Sequence, residues 1–248
     1  MKKYLVSIVS YTNTLPLRYG ISKSNLLTEI DLQLDIPAVC AQKLIANTVD
    51  IGLIPVAVIP LLKEHYIISK YCIGSNERVD TVKLYSHVPL EEIGTIYLDY
   101  QSRTSVILAK ILVKNYWKIH PAFINAAVGF EDTITGKNAA VVIGDRCFTL
   151  NGKFPYEYDL AFEWKRYTKL PFVFAAWVSN KKIDEDFVAK LESAMQYGIE
   201  HIDDAIKNDP CIIDAVRVKE YLSERISFDF DDAKKQSLHL FLDLIKQL

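Results

Sequence analysis

The sequence predicts an α/β protein whose two lobes face each other across a cleft, and three observations carry that expectation. Short apolar runs of strand length alternate with helix-period segments from the start of the chain. A fresh strand-to-helix unit begins near Ile96, after the interruption His87-Val88-Pro89-Leu90-Glu91-Glu92. From Asp184 onward the chain reads as helix almost throughout. A chain that starts one lobe, builds a second and returns to cover the first has this order. The expected division is residues 1–86 and 177–248 for the first lobe, the latter mostly helical, and 87–176 for the second.

With 248 residues, 50% hydrophobic and 24% charged, the chain can bury a sizeable core. Its formal charge is −2 and its basic residues never cluster, so no nucleic-acid face or polybasic membrane anchor is expected and the partner should be a small molecule. Met1-Lys2-Lys3 before Tyr4-Leu5-Val6-Ser7-Ile8-Val9 imitates a signal peptide, but polar Ser10-Tyr11-Thr12-Asn13 follows at once, without a small-residue cleavage site. That run reads as a buried strand. No apolar stretch reaches the length of a membrane span, so a cytoplasmic protein is expected, either monomer or homodimer. Cys40, Cys72, Cys147 and Cys211 lie far apart in apolar segments and read as reduced, buried thiols.

After the first strand, Asn13-Thr14-Leu15-Pro16-Leu17 reads as a turn into a helix, with Asn13 or Thr14 as cap and Pro16 in the first turn. Ile30-Asp31-Leu32-Gln33-Leu34 alternates as a second strand does, and Pro37 opens a helix through Cys40 and Leu44. Asp50 to Ile54 is a third strand running into Pro55-Val56-Ala57 and an apolar helix to Leu62. Three strand-to-helix turns thus collect beyond the carboxyl ends of strands, where α/β sheets bind ligands. Strands are also expected at Ile67 to Ile73 and at Val79 to Tyr85, the latter containing Thr81.

The second lobe begins with Thr95-Ile96-Tyr97-Leu98, the turn Asp99 to Ser105, and a helix from Val106 to Trp117. Ser102 is the natural N-cap, and Ser105 stands where a capping box would place Glu or Gln, so no side-chain carboxylate closes the helix mouth. With Arg103 and Thr104 beside it, this positive helix end suits an external carboxylate or phosphate. A buried strand from Ala139 to Ile143 ends at Gly144-Asp145, and the dense run Leu170 to Val178 returns to the first lobe. Phe187, Val188, Leu191, Met195, Ile199, Ile202 and Ile206 then mark a long helix, which Pro210 breaks. A shorter helix spans Val218 to Ile226, and Asp231 caps the last one. Trp164, Trp177, Phe162, Phe172 and Phe174 read as core, with a cleft lining as the alternative.

No nucleotide-binding loop, hydrolase elbow or zincin signature occurs, and the five histidines are scattered. What remains is a set of polar tips: Asn13, Thr81, Ser102-Arg103-Thr104-Ser105 and Gly144-Asp145. Each alone also has a structural reading. Asn13 can be a cap, Thr81 a β-branched strand residue, and Asp145 the cap of the helix containing Cys147.

As an ordered set, Ser10-Tyr11-Thr12-Asn13-Thr14-Leu15-Pro16-Leu17, Asp50 to Ala57, Val88-Pro89-Leu90-Glu91-Glu92, Asp99-x-x-Ser102-Arg103-Thr104-Ser105-Val106, Ile143-Gly144-Asp145, and Glu163-Trp164 with Leu170-Pro171-Phe172 resemble the chorismate dehydratases of the futalosine route to menaquinone. The resemblance covers nearly the whole chain. It implies a two-lobed periplasmic-binding-protein type II-like fold, no cofactor or metal, and conversion of chorismate to 3-[(1-carboxyvinyl)oxy]benzoate and water. Asn13 matches the family's active-site Asn, and Ser102 to Ser105 its carboxylate-holding helix start; Thr81, Gly144 and Asp145 complete the implied substrate site. Where the family reads Val-x-Ser-Val, this chain has Val79-Asp80-Thr81-Val82, which keeps the hydroxyl and adds a methyl. An amide cannot serve as general base, so the proton acceptor is either the substrate's enolpyruvyl carboxylate or Asp145. Two other readings stand beside this one: the 1,4-dihydroxy-6-naphthoate synthase of the same route, and a non-catalytic solute-binding protein for a small carboxylate.

Overall fold

A computed structural model describes residues 3–209 and 214–248. The chain opens as the pattern predicts, with β1 (Tyr4–Val9), α1 (Leu15–Lys23), β2 (Ile30–Asp35), α2 (Pro37–Ile45) and β3 (Ile51–Pro55). Both β2 and β3 run parallel to β1, because each is reached through a helical crossover. The helix expected after Pro55 is a 3₁₀ segment, Val56–Leu61, with Pro60 inside it. Next come β4 (Tyr66–Ser75), β5 (Val82–Ser86) and β6 (Thr95–Leu98), then α3 (Thr104–Ile111), which widens into a π segment at Leu112–Trp117. The second lobe is completed by β7 (Ala122–Asn125), β8 (Asn138–Ile143), α4 (Arg146–Leu150), β9 (Tyr156–Asp159) and α5 (Leu160–Thr168). The return is made by β10 (Phe172–Ser179), α6 (Glu185–Glu200), α7 (Ile202–Asn208), α8 (Ala215–Glu220) with a π segment Tyr221–Arg225, β11 (Ser227–Asp229) and α9 (Asp232–Ile245). Pro210 and Cys211, to which a helix break and a buried thiol were assigned, lie outside the described residues, as do Met1 and Lys2.

The strands form a six-stranded sheet, β11-β4-β10-β3-β1-β2, and a five-stranded sheet, β7-β6-β8-β5-β9. Sheet membership changes between Ser75 and Val82, and again between Asp159 and Phe172. The boundaries expected at 86/87 and 176/177 therefore miss the crossings. Residues 82–86 pair with β8 and β9 in the second sheet, and residues 172–176 with β3 and β4 in the first. Both crossing strands are buried along their whole length, so their burial pattern carries no mark of which sheet they join.

The C-terminal helices cover the first sheet as expected, α6 packing on α1 and β4. The last helix, α9, does more, since it also touches α3 of the second lobe. Ser237 on α9 accepts a hydrogen bond from Trp164 Nε1 of α5 at 2.9 Å. Trp164, Phe172 and Phe241 meet edge to face with centroids 5.2–6.0 Å apart, and Phe174 joins Phe172 at 4.8 Å. Trp164, Trp177 and Phe172 are core residues, as read from the sequence. One apolar core thus continues through both lobes. Cys40, Cys72 and Cys147 are free and buried, and burial pushes each thiol up to about 12.

Helix α1 carries the first candidate residue, Asn13, at its mouth, so its seating matters. It crosses α6 where Gly20 and Gly198 face each other: a Cβ on Gly20 would strike the Ala194 carbonyl oxygen, and one on Gly198 that of Pro16. The obstacles are backbone atoms, which cannot rotate away. Gly198→Ala is therefore expected to lower the unfolding free energy by about 3 kcal/mol, the upper end for overpacking, in urea titrations. A loss within about 0.5 kcal/mol, the range of an ordinary surface change, would mean that α1 and α6 separate freely.

Candidate functional site

The carboxyl ends of the parallel strands of both sheets point at one cavity. Val9 at the end of β1, Asn13 beyond it, Pro37 beyond β2 and Pro55 at the end of β3 line it from the first lobe. Ser102 to Ser105 beyond β6 and Ile143-Gly144 at the end of β8 line it from the second. The empty space there, open solvent at the mouth included, is about 550 Å³. Phe174 joins the lining, whereas Phe162 lies under the Arg78 guanidinium, 5.6 Å away.

At the end of β1 the expected cap is absent. The Thr14 hydroxyl donates back to Val9 O at 2.5 Å and Tyr11 O at 2.9 Å, drawing residues 12–14 into a 3₁₀ turn, and neither it nor Asn13 caps α1. Asn13 is thereby left free to face the cavity. Its Oδ1 is buried and has no hydrogen-bond partner among the described residues. An orphaned buried acceptor costs about 1–3 kcal/mol, so its retention at a cavity wall marks a place for a ligand's donor.

In the second lobe, buried Asp99 fixes two loops at once. Its carboxylate accepts from Gln101 N at 3.0 Å and Ile143 N at 2.9 Å and pairs with Arg146, which also holds Glu131 at 2.6 Å. This ties the 99–105 turn to the tip of β8. Ser102 acts as expected, its Oγ accepting from Ser105 N at 3.0 Å. Arg103 is exposed at the mouth, its guanidinium folded onto Ser102 O at 3.0 Å. Thr104 is committed elsewhere: its hydroxyl accepts from Ala57 N at 3.2 Å and donates to Phe174 O at 2.9 Å, both in the first lobe. That hydroxyl is an inter-lobe tie. Ser105 is only 4% exposed, lines the cavity, and its hydroxyl has no hydrogen-bond partner among the described residues.

Gly144 has φ +70°, and its N–H donates to Thr81 O at 2.9 Å. The Tyr11 ring fills the space over it, 2.8 Å from where a Cβ would stand. Asp145, expected as cavity wall or as cap of α4, does neither among the described contacts. Both its oxygens lie 3.3 Å from Thr12 N, across the lobes. Burial pushes its carboxyl above the ordinary range, against the pull of the Thr12 N–H and of the Arg18 charge. Thr81 sits in a bend just ahead of β5, not within the strand, and lines the cavity with its Oγ1 2.8 Å from Tyr221 Oη.

Tyr11 and Tyr221 were assigned no role from the sequence. Tyr11 donates its hydroxyl to Gln101 Oε1, whose Nε2 donates to Tyr100 Oη at 2.7 Å, so the rim is latched across the lobes. Its place beside Asn13 in a polar tip was the available signal. For Tyr221, inside an amphipathic segment, there was none. Among the described residues no three His, Cys, Asp or Glu side chains gather as metal ligands do.

A sequence profile of the family described as menaquinone biosynthesis matches residues 4–247. Among solved structures the chain is similar to protein AF1704 from Archaeoglobus fulgidus, with a TM-score of 0.79 and 15% identity over 99% of this chain and 97% of that one. It is also similar to the Candida albicans CA3427 gene product, whose structure is described as the generic periplasmic binding protein fold (TM-score 0.66, 14% identity, 100% and 91% covered). A third is the alkanesulfonate-binding protein SsuA from Xanthomonas axonopodis pv. citri bound to MOPS (TM-score 0.65, 12% identity, 100% and 93% covered). The two-lobed α/β architecture is thus that of the periplasmic binding proteins.

Because folding raises the Asp145 pKa, the native state binds this proton more tightly than the unfolded chain does. Its contribution is greatest below the ordinary carboxylate range and is lost as pH climbs through the raised value. Wild-type protein should therefore lose stability relative to Asp145→Asn as pH rises through and above the ordinary carboxylate range in paired urea titrations. A constant difference over that range would mean that the carboxyl titrates as in the unfolded chain.

Proposed function

The chain belongs to the menaquinone biosynthesis family, and from that membership and the make-up of the cavity we propose that it is a chorismate dehydratase, releasing 3-[(1-carboxyvinyl)oxy]benzoate and water. The observation that carries the proposal is the unpartnered Asn13 amide, held in the cavity opposite an open helix mouth whose Ser105 hydroxyl is free. Chorismate brings what both lack: two carboxylates for the helix mouth and hydroxyl donors, and a ring hydroxyl for the amide. Phe174, Ile73 and Val79 offer its ring an apolar wall.

In the proposed reaction a ring C–H proton passes to a carboxylate oxygen, the freed electron pair forms the last ring double bond, and the neighbouring C–O bond breaks. The carboxylate then hands that same proton to the leaving hydroxyl, which departs as water and leaves the carboxylate ionised as before. Aromatisation drives this strongly, so the protein's task is to orient the substrate and exclude solvent. Among the described residues the cavity lining includes no His, Glu or Asp, and Asp145 is turned to Thr12 N. This supports the substrate's own enolpyruvyl carboxylate as the base. Asn13 hydrogen-bonds the departing hydroxyl, and the helix mouth with Ser105 and Thr81 holds the carboxylates. The lack of a cavity histidine also weighs against the 1,4-dihydroxy-6-naphthoate synthase, whose chemistry is His-dependent.

Incubated with chorismate and no added cofactor, the protein should release a product lighter by one water, with the ultraviolet spectrum of an aromatic ring. Binding without loss of water would instead make it a solute-binding protein, the class to which SsuA belongs. Asn13→Ala should bind chorismate but turn it over roughly 100- to 1,000-fold more slowly, as for a lost electrostatic donor; unchanged turnover would remove Asn13 from the chemistry. If Asp145→Asn bound chorismate and did not turn it over, the proton acceptor would be Asp145.

A further inference from the structure

We propose that Tyr221 is a positioning residue that sets the direction of the Thr81 hydroxyl, so that Thr81 presents its proton to a substrate carboxylate. The proposal rests on the reading of the cavity as a carboxylate site. Thr81 Oγ1 and Tyr221 Oη are 2.8 Å apart and both residues are buried. Between two hydroxyls either can donate, but the surroundings choose. Tyr221 has no other acceptor in hydrogen-bond reach among the described residues, whereas Thr81 lines the cavity, and its one further contact, Val79 O, is a long 3.5 Å. If Thr81 donated to Tyr221, the buried phenol proton would be left without an acceptor, which costs about 1–3 kcal/mol. With Tyr221 donating, every polar atom is served once an anion occupies the cavity and accepts from Thr81. Burial holds the phenol far above its ordinary range, so Tyr221 keeps the proton that it donates.

The two residues cannot drift apart, because the same helical face grips the neighbouring residue too. Arg225, one turn beyond Tyr221, donates from Nε to Asp80 at 2.7 Å. Asp80 stands at φ +63°, and its N–H donates to Asp159 at 2.7 Å. Residues 80 and 81 are therefore clamped at consecutive positions by residues 225 and 221. The segment carrying Tyr221 and Arg225 thus reaches the cavity through Thr81 without lining it.

The test is a double-mutant cycle on chorismate turnover with Tyr221→Phe and Thr81→Val, alongside thermal unfolding of each variant. Tyr221→Phe should raise KM roughly tenfold, as for a weakened hydrogen bond to a charged group, with kcat within about twofold. Thr81→Val should raise KM at least as much, and adding Tyr221→Phe to it should cost nothing further. Thr81→Ser, which keeps the hydroxyl, should leave the Tyr221→Phe effect intact. Additive effects, or a fall in kcat at constant KM, would overturn the proposal. If wild-type protein neither binds nor dehydrates chorismate, the reaction reading fails on its own. The same cycle is then run on benzoate affinity by calorimetry, where coupling between the two sites sustains the clamp and absence of coupling or of affinity overturns it.

Discussion

The carboxylate of Asp159 accepts four backbone hydrogen bonds, from Val79 at 3.0 Å and Asp80 at 2.7 Å on one oxygen and from Ala161 and Phe162, each at 3.1 Å, on the other. It joins the crossing between the sheets to the start of α5, and much of the cavity depends on that junction. Asp80 takes a left-handed backbone that a side-chain residue adopts only under constraint, and the constraint is this pair of bonds together with Arg225. The next residue is Thr81. Its carbonyl accepts from Gly144 N at 2.9 Å, so the position of the crossing is transmitted to the tip of β8, and Asp99 passes it on from Ile143 to the helix mouth. Burial pushes the Asp159 carboxyl up despite its four donors, because desolvation of a buried charge outweighs neutral hydrogen bonds.

The lobes meet at three levels around the cavity. Tyr11 and Gln101 latch the rim, Thr12 and Asp145 close one flank, and Thr104 bridges Ala57 and Phe174 at the wall. Beneath them the aromatic cluster of Trp164, Phe172, Phe174 and Phe241 joins α5, β10 and α9 into one packed unit. A packed core resists continuous deformation. Separating the lobes at the cavity would break these polar contacts at the rim and wall. Hydrogen bonds of this kind contribute about 0.5–1.5 kcal/mol each, so these polar contacts together add only a few kcal/mol to the apolar packing beneath them.

The features legible in the sequence are those set by neighbours in the chain. The β1-α1-β2-α2 start was visible because strand runs, prolines in first turns and helix periodicity are local, and Ser102 was visible because an N-cap is satisfied within three residues. Thr104, Asp145 and Tyr221 behave otherwise for one common reason. Each makes its deciding contact across 47 to 140 residues, with Ala57, Thr12 and Thr81. A Thr in a first helical turn and an Asp ahead of a helix look the same whether they serve the helix or the opposite lobe. The lobe boundaries were displaced on similar grounds, since β5 and β10 are buried throughout and carry no polar alternation to show which sheet they enter.

Under the proposed reaction, substrate and product share both carboxylates. The helix mouth, Ser105 and Thr81 therefore bind the two with similar strength, and binding that is uniform along the reaction does not accelerate it. Only the ring hydroxyl and the ring proton distinguish the start from the end. Among the described residues of the cavity Asn13 and Ser105 both carry an unmet side-chain hydrogen bond, and the turn that carries Asn13 is held by Thr14 folding back on β1, not by a ligand. The Asn13 amide is thus positioned before substrate arrives: Oδ1 can accept from the ring hydroxyl, and Nδ2–H is the donor that charge on a departing oxygen calls for. The proposed reaction thus assigns affinity to the hydroxyls and helix N–H groups, and rate to the Asn13 amide.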